Sequence, residues 1–216
     1  MLNLFKNIII LYCNMTCYEI DNVKNVYDII APEFNQTRGY YWQPISEFIN
    51  ELPNNSLIYD IGCGNGRNMT YTNHTFIGID NCQKFVDICK SKGLDAICNN
   101  MTDIQLQPDS ADFIICVASF HHLANKENRL KSLLEMKRLI KPGGKILITI
   151  WSKIQPKKTR VNFDNYGDNI VYWKNKHPRY YYIFAIDEIT ELFNEVGLHI
   201  ESHEYNCGNE VFTIYK

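Results

Sequence analysis

Three glycines at alternate positions follow an acidic residue, as Asp60, Gly62, Gly64 and Gly66. Glycine has no Cβ, so it adopts positive φ easily and lets a ligand contact the backbone. The apolar run before Asp60 predicts a buried strand that ends in a ligand-binding turn. The spacing alone fits a nucleotide-type cofactor loop or an ordinary glycine turn.

A second acid, Asp80, ends the apolar run 75–80 and lies 18 residues beyond Gly62. A carboxylate at this separation can accept hydrogen bonds from both hydroxyls of a ribose. NAD sites share this geometry, but their fingerprint is G-x-G-x-x-G without a leading acid, and an acid beside the loop would repel a pyrophosphate. The pattern therefore favours a ligand with a cationic amino group, such as S-adenosylmethionine, over the alternative of an NAD oxidoreductase.

Strands alternate with helices along most of the chain, which predicts an α/β fold with a doubly wound parallel sheet. The predicted strands after the loop are 75–80, 94–98, 112–117 and 145–151, with a C-terminal antiparallel hairpin formed by 198–205 and 210–215. The predicted helices are 23–30, 42–52, 83–92, 126–140 and 186–196, with 31–38 as a loop. In the fourth helix we expect Leu130, Leu133, Leu134 and Ile140 to face inward.

Composition indicates one globular domain of 216 residues, of which 45% are hydrophobic. Eight scattered cysteines without a C-x-x-C pair favour reduced, buried thiols in a cytosolic protein. Residues 1–20 are interpreted as an N-terminal extension, because the apolar run 8–11 is far shorter than the roughly 20 residues that span a bilayer. Residues 21–216 form the predicted domain, with a basic insertion at about 152–185 on the substrate side.

The net charge is only −2, but it is unevenly distributed along the chain. Residues 1–125 hold 7 Lys/Arg and 13 Asp/Glu, residues 126–179 hold 14 and 4, and residues 180–216 hold 1 and 7. A basic central third is typical either of a phosphate-binding face or of a helix and loop with solvated lysines.

These motifs resemble those of two nested families. With Asp112-Phe113 and the run 139–144 (LIKPGG), the glycine loop and Asp80 resemble the motif set of class I S-adenosylmethionine-dependent methyltransferases. The run 27–38 (YDIIAPEFNQTR), His121-His122, 179–181 (RYY) and Gly208-Asn209 are similar to the wobble-uridine tRNA carboxymethyl methyltransferases, the family that includes the methyltransferase domain of AlkB homologue 8. This similarity covers residues 23–216.

The resemblance implies a Rossmann-like methyltransferase fold with a mostly parallel seven-stranded sheet. It implies methyl transfer from S-adenosylmethionine to the carboxylate of 5-carboxymethyluridine in a tRNA anticodon, usually in complex with a small zinc-binding activator subunit. The implied cofactor site adds to the acids and glycines Cys63, Asn81, Asn100, Met101 and Val117. Family members tend to carry Asp where Asn100 stands, although an amide oxygen accepts the same hydrogen bond.

A carboxylate is already anionic at neutral pH, so its methylation needs alignment more than a general base. Arginines that pair bidentately with a carboxylate or phosphate are therefore expected, and Arg38 and Arg179 are the candidates, with Tyr180 beside the latter. His121 is expected to face the reaction centre, and His122 is interpreted as packed. A small-molecule methyltransferase of the same fold, or a non-catalytic S-adenosylmethionine-binding scaffold, remain alternatives.

Overall fold

The computed structural model describes residues 17–37, 42–159 and 161–216, and its centre is a seven-stranded sheet. The strands are β1 (Leu57–Ile61), β2 (Thr75–Asp80), β3 (Ala96–Cys98), β4 (Ala111–Val117), β5 (Ile140–Trp151), β8 (His199–Asn206) and β9 (Asn209–Tyr215). Their order is β3-β2-β1-β4-β5-β9-β8, and β9 pairs antiparallel with both of its neighbours while the other pairs are parallel. The strand order reverses between β1 and β4, the position at which such sheets bind ligands. The predicted sheet is confirmed.

Helices cover both faces of this sheet. They are α1 (Asn25–Thr37), which follows a π-helical turn (Ile20–Lys24), α2 (Gln43–Asn50), α3 (Gln83–Ser91), α4 (Lys126–Leu139) and α5 (Ile186–Glu195). One core cluster joins the sheet to α4 and α5 through Leu133, Met136 and Phe193. A second joins the opposite face to α2 and α3 through residues such as Ile49 and Val86. Within the described ranges, no helix is long and apolar enough to cross a membrane.

The first helix is longer than predicted. Residues 31–37, expected to be a loop, continue α1 through Pro32. Proline lacks the N–H that would bond to the carbonyl four residues earlier. Lys84 Nζ donates to that carbonyl, Asp28 O, at 2.7 Å, so the lost hydrogen bond is replaced from α3. Arg38 lies outside the described residues.

Two details around α4 also differ from the prediction. Leu134 is 51% exposed, whereas it was expected to face inward, because the buried face of α4 is formed by Arg129, Ser132, Leu133, Met136 and Leu139. The segment 140–144, predicted as the last helical residue and the stop between the helix 126–140 and the strand 145–151, already belongs to β5. Its pairing with β4 shifts register between Ala111 and Phe113, and this irregularity accommodates the proline and the two glycines.

The insertion at about 152–185 contains a two-stranded antiparallel hairpin of β6 (Gly167–Trp173) and β7 (His177–Ile183). It forms a sheet of its own. Its inward residues Val171, Tyr181 and Ile183 make a small core with Phe163, which precedes the hairpin, and with Trp151 at the end of β5. The hairpin therefore lies beside the carboxyl end of the central sheet.

Candidate active site

A cavity of about 460 Å³ lies where β1, β2, β4 and β5 end and is closed on one side by α1 and β7. This volume is typical of a site for a small organic cofactor or substrate. Its lining falls into two parts. The cofactor half contains the glycine loop and the ends of β2, β3 and β4, and the acceptor half contains Tyr27, His122, Trp151, Arg179 and Tyr181.

The glycine loop is fastened to β2 by Asp80. Gly64 N donates to Asp80 Oδ2 at 2.9 Å, and Cys82 N donates to Oδ1 at 2.9 Å. Burial raises the pKa of Asp80 to about 6, although these two backbone hydrogen bonds act in the opposite direction. Each carboxylate oxygen keeps a free lone pair for a ligand hydroxyl. Asp80 therefore shapes the loop and presents acceptors to the cavity.

Gly62 is held in a conformation and a space that suit glycine. Its φ is +77°, and a Cβ at this position would lie 2.3 Å from Ser119 Oγ and 2.4 Å from Ser119 Cβ. The Ser119 hydroxyl in turn donates to Ile61 O at 3.0 Å. Its neighbour Ala118, which borders the cavity, also has a positive φ of 51°. The end of β4 is thus folded tightly against the loop.

Asp60 and Gly66 do not border the cavity. Asp60 is fully buried behind the loop, and neither of its carboxylate oxygens meets hydrogen-bonding geometry with another described residue. Burial raises its pKa to about 7, opposed by Arg67 and the nearby Asn68 amide, with Asp80 adding repulsion. A Cβ on Gly66 would lie 2.6 Å from a Leu94 methyl group and 2.9 Å from Cys89 Sγ, so Gly66 lets the loop pack on α3.

The other predicted cofactor residues all border the cavity. They are Gly62, Cys63, Gly64, Asp80, Asn81, Asn100, Met101 and Val117. Their chemistry fits S-adenosylmethionine, because a carboxylate can accept ribose hydroxyls, amides can bond the adenine edge, and the thioether of Met101 offers an apolar surface. The Asp60 carboxyl, with a pKa of about 7, is partly ionised at neutral pH and in that form adds negative charge behind the loop. Their individual roles stay predictions.

Arg179 dominates the acceptor half. Its side chain comes from β7, is 5% exposed, and donates from Nη1 to Tyr27 Oη at 3.1 Å. The guanidinium carbon lies 5.2–5.8 Å from the ring centroids of Tyr27, Trp173 and Tyr181. Burial works to lower its pKa, but the two tyrosine hydroxyls raise the pKa overall. Among the described residues, Nε has no hydrogen-bond partner and no carboxylate forms an ion pair with this cation.

The two histidines occupy the opposite positions to those predicted, since His122 and not His121 faces the cavity. They lie in a short 3₁₀-helix, Phe120–His122, whose successive side chains diverge by about 120°. His122 borders the cavity, and its Nε2 lies 2.9 Å from Tyr27 Oη. His121 is fully buried outside the lining, where its Nδ1 accepts from Trp151 N at 3.1 Å and its ring stacks on Tyr181. Burial lowers the pKa of His122 to about 3 and that of His121 well below its usual value, so both are neutral at pH 7.

Tyr180 also faces away from the cavity, because side chains alternate along a strand and those of Arg179 and Tyr181 face inward. Its hydroxyl donates to Asp168 Oδ1 at 2.6 Å. Of the four predicted acceptor residues, the structure thus places Arg179 at the cavity, places His121 and Tyr180 outside its lining, and does not describe Arg38.

Sequence reasoning missed several aromatic side chains that border the cavity, including Tyr27, Phe34, Trp42 and Phe85. The apolar spacing predicted a helix over 23–30 and a loop after it, without assigning Tyr27 or Phe34 to a site, whereas both lie on α1 and pack with Phe85 of α3 beside the cavity. The available signal was the YDIIAPEFNQTR run itself, whose aromatic residues share a helix face.

Comparison with known proteins agrees with this geometry. A family described as "Methyltransferase domain" matches residues 59–148. The chain is 31% identical over 218 residues to a tRNA (carboxymethyluridine(34)-5-O)-methyltransferase of Schizosaccharomyces pombe, covering 89% of this chain and 95% of that protein. It is 37% identical to the mouse enzyme ALKBH8 over 66% of this chain and 22% of that protein, and 37% identical to an Arabidopsis thaliana enzyme with the same activity name over 62% and 33%. The chain therefore spans about a fifth to a third of the mouse and Arabidopsis relatives.

Solved structures share the fold at low identity. A chain from the complex of the Haloferax volcanii Trm112 methyltransferase activator with a methyltransferase has a TM-score of 0.68, at 15% identity over 89% of this chain and 96% of that one. The protein of the DhpI–SAM–HEP complex has a TM-score of 0.70, at 14% identity over 91% and 97%. The strand order and the glycine loop thus define a class I methyltransferase fold. Within this class, the chain belongs to the tRNA (carboxymethyluridine(34)-5-O)-methyltransferase family.

Proposed function

We propose that the protein transfers a methyl group from S-adenosylmethionine to the carboxylate of 5-carboxymethyluridine at the wobble position of tRNA, which forms the methyl ester. The observation that carries this proposal is Arg179, a buried cation without an acidic partner among the described residues, in the same cavity as the glycine loop and Asp80. Buried charges are rarely left unpaired, since desolvation is costly. A substrate carboxylate would supply the counter-charge.

S-adenosylmethionine supplies an electrophilic methyl group when it is bound. Asp80 would accept the ribose hydroxyls, and Asn100 and Met101 would contact the adenine. Arg179 would orient the acceptor carboxylate with two parallel hydrogen bonds, and the surrounding rings, including Trp151 and Tyr181, would exclude water. No proton has to be removed from a carboxylate, which agrees with a cavity whose histidine, His122, is neutral.

The distribution of basic residues supports RNA as the substrate. Several lysines in the range 126–145 pair with acids elsewhere, such as Lys126 with Glu195 at 2.7 Å and Lys145 with Glu201 at 2.7 Å. Residues 153–179, which form the hairpin and its approach, hold seven Lys/Arg against two Asp/Glu. Phosphate binding depends on such local excess charge, so we propose that the tRNA anticodon loop contacts this segment.

We also propose that a small zinc-binding activator subunit assembles with this chain. One structural neighbour comes from a complex with the Trm112 methyltransferase activator. Among the described strands, β3 and β8 form the edges of the sheet, and an edge offers backbone groups to which a partner can add. The seven described cysteines are free thiols, which suits the cytoplasmic location that we propose. Four are buried as expected, but Cys17, Cys98 and Cys207 are exposed, because they lie outside the two main core clusters.

The test is incubation of tRNA carrying 5-carboxymethyluridine with the protein and labelled S-adenosylmethionine, with and without an activator subunit, followed by mass spectrometry of the nucleosides. The methyl ester is the expected product. No ester in the presence of an activator would refute the proposal, and methylation of a small apolar acceptor without RNA would replace it.

Arg179→Lys tests the role of the guanidinium. A lysine keeps the charge but loses the bidentate geometry, so kcat/KM for tRNA should fall by roughly 10- to 100-fold while the Kd for S-adenosylmethionine stays within about twofold. Arg129→Lys is the matched control, because Arg129 is equally buried but does not border the cavity and donates to the Leu123 and Ala124 carbonyls. Equal losses of kcat/KM in both variants would contradict the assigned role.

A further inference from the structure

We infer that Tyr27 is a positioning residue, which holds the Arg179 guanidinium in the cavity through a hydrogen-bond relay that runs from the Tyr180 carbonyl through His122. The inference rests on the proposed function, in which Arg179 binds the acceptor carboxylate. It adds a residue of α1 to the machinery and gives His122 a defined task.

The direction of every hydrogen bond in the relay follows from its fixed end. His122 Nδ1 lies 2.7 Å from Tyr180 O, and a carbonyl oxygen can only accept, so Nδ1 carries the proton. In a neutral imidazole the other nitrogen, Nε2, is then an acceptor. Tyr27 Oη, 2.9 Å away, must donate its single proton to it. The lone pairs of Tyr27 Oη remain for Arg179 Nη1, which donates at 3.1 Å.

This chain of bonds determines the rotation of the guanidinium. The faces of Trp173 and Tyr181 attract the cation, but this attraction depends weakly on rotation about the guanidinium axis. A hydrogen bond has a preferred direction, so the bond to Tyr27, together with the one to the Tyr181 hydroxyl, selects one orientation. In that orientation Nε is unpaired among the described residues, and the Arg179 side chain borders the cavity.

The relay requires neutral His122. A protonated ring would donate from Nε2, and the Tyr27 hydroxyl would then turn its proton toward Arg179. Two donors, the Tyr27 hydroxyl and Arg179 Nη1, would face each other, and their hydrogen bond would be lost. The groups that face His122 from the packed elements are Arg179 and Tyr181 on β7, Tyr27 on α1 and His121 on its own turn. None of these is an acid, and burial together with the Arg179 charge lowers the pKa of His122 to about 3. His122 is therefore neutral at pH 7, as the relay requires.

The kinetic test compares Tyr27→Phe with Tyr59→Phe. Each change removes one partly or fully buried hydroxyl and keeps the ring, but Tyr59 Oη bonds to Ser110 Oγ at 2.9 Å, far from the cavity lining. For Tyr27→Phe we expect kcat/KM for tRNA to fall about tenfold or more, with the Kd of S-adenosylmethionine within twofold. Tyr59→Phe should retain kcat/KM. Equal kinetic effects, or loss of cofactor binding in Tyr27→Phe, would overturn the inference.

Two further measurements separate positioning from other roles. If Tyr27 acts through Arg179, adding Tyr27→Phe to Arg179→Lys lowers kcat/KM no further, whereas multiplicative losses would contradict the relay. In ¹⁵N spectra, the His122 resonances, assigned with His122→Gln, should show the Nδ1–H tautomer, and the Nε2 resonance should shift in Tyr27→Phe. The Nε2–H tautomer would refute the relay. A protein that shows the expected tautomer yet methylates no tRNA would refute the proposed function and support the relay.

Discussion

Replacement of Gly62 by alanine tests whether the cofactor loop requires glycine at this position. An alanine at φ +77° costs about 1–2 kcal/mol, because its Cβ approaches the carbonyl oxygen in this left-handed region. The new Cβ would also lie 2.4 Å from Ser119 Cβ, an atom fixed by its own backbone, so a rotamer change cannot relieve the clash. Displacing Ser119 would break its bond to Ile61 O, at about 0.5–1.5 kcal/mol more. The sum is roughly 1.5–3.5 kcal/mol.

Gly143→Ala is the matched control for this substitution. Gly143 has a φ of +82°, but no atom lies within 4 Å of the position that a Cβ would occupy, so only the conformational cost of about 1–2 kcal/mol applies. Urea denaturation followed by circular dichroism measures both free energies of unfolding, and calorimetry measures the affinity for S-adenosylmethionine. Gly62→Ala should lose more stability than Gly143→Ala and should lose cofactor affinity as well. Adding Ser119→Gly should restore part of the stability. Equal destabilisation of the two alanine variants would refute the steric argument.

Two further predictions concern the acids of the cofactor half. The folded-state pKa of Asp60, about 7, lies above its unfolded value of 3.8, so its contribution to stability is complete below pH 3.8 and is lost as the pH rises to about 7. The free energy of unfolding should therefore decrease between pH 5 and pH 8, and in Asp60→Asn this decrease should be smaller by about 2–3 kcal/mol, as measured by urea denaturation at each pH. An equal decrease in both proteins would contradict the burial argument. Asp80→Asn retains one acceptor oxygen but points its NH₂ group toward the N–H of Gly64 or Cys82. The Kd for S-adenosylmethionine, measured by calorimetry, should therefore rise about tenfold or more. An unchanged Kd would show that Asp80 does not bind the ribose.

The sheet was predictable because each of its strands carries a strong local signal. Apolar runs end at Asp60 and Asp80, and glycine or an acid marks most strand boundaries. The extension of α1 through Pro32 was not predictable, since the compensating donor, Lys84, lies on another helix. The hairpin β6–β7 was also not predictable, because its apolar and polar residues do not alternate regularly. Tyr180 is buried on the face that points away from the cavity, where Tyr18 from a distant segment packs against it.

The cofactor half was predicted more completely than the acceptor half for a related reason. Its residues follow consecutive strands, so sequence order alone brings Gly62, Asp80 and Asn100 to one edge of the sheet. The acceptor half joins Tyr27, His122 and Arg179 from three distant segments. Which of two adjacent histidines faces the cavity depends on the rotation of one 3₁₀ turn, and sequence does not determine that rotation.

Because β6 and β7 form a sheet of their own, the hairpin is structurally separate from the central sheet. These strands pair with each other, and the described part of the chain shows no backbone ladder between them and the central sheet. The wall that presents Arg179 is therefore attached mainly by aromatic packing on α1, the 3₁₀ turn and β5. Substitutions in this wall are therefore expected to act on the acceptor half without disturbing the strands that hold the cofactor loop. A shared methyl-transfer core can in this way acquire new acceptors by exchanging one peripheral hairpin.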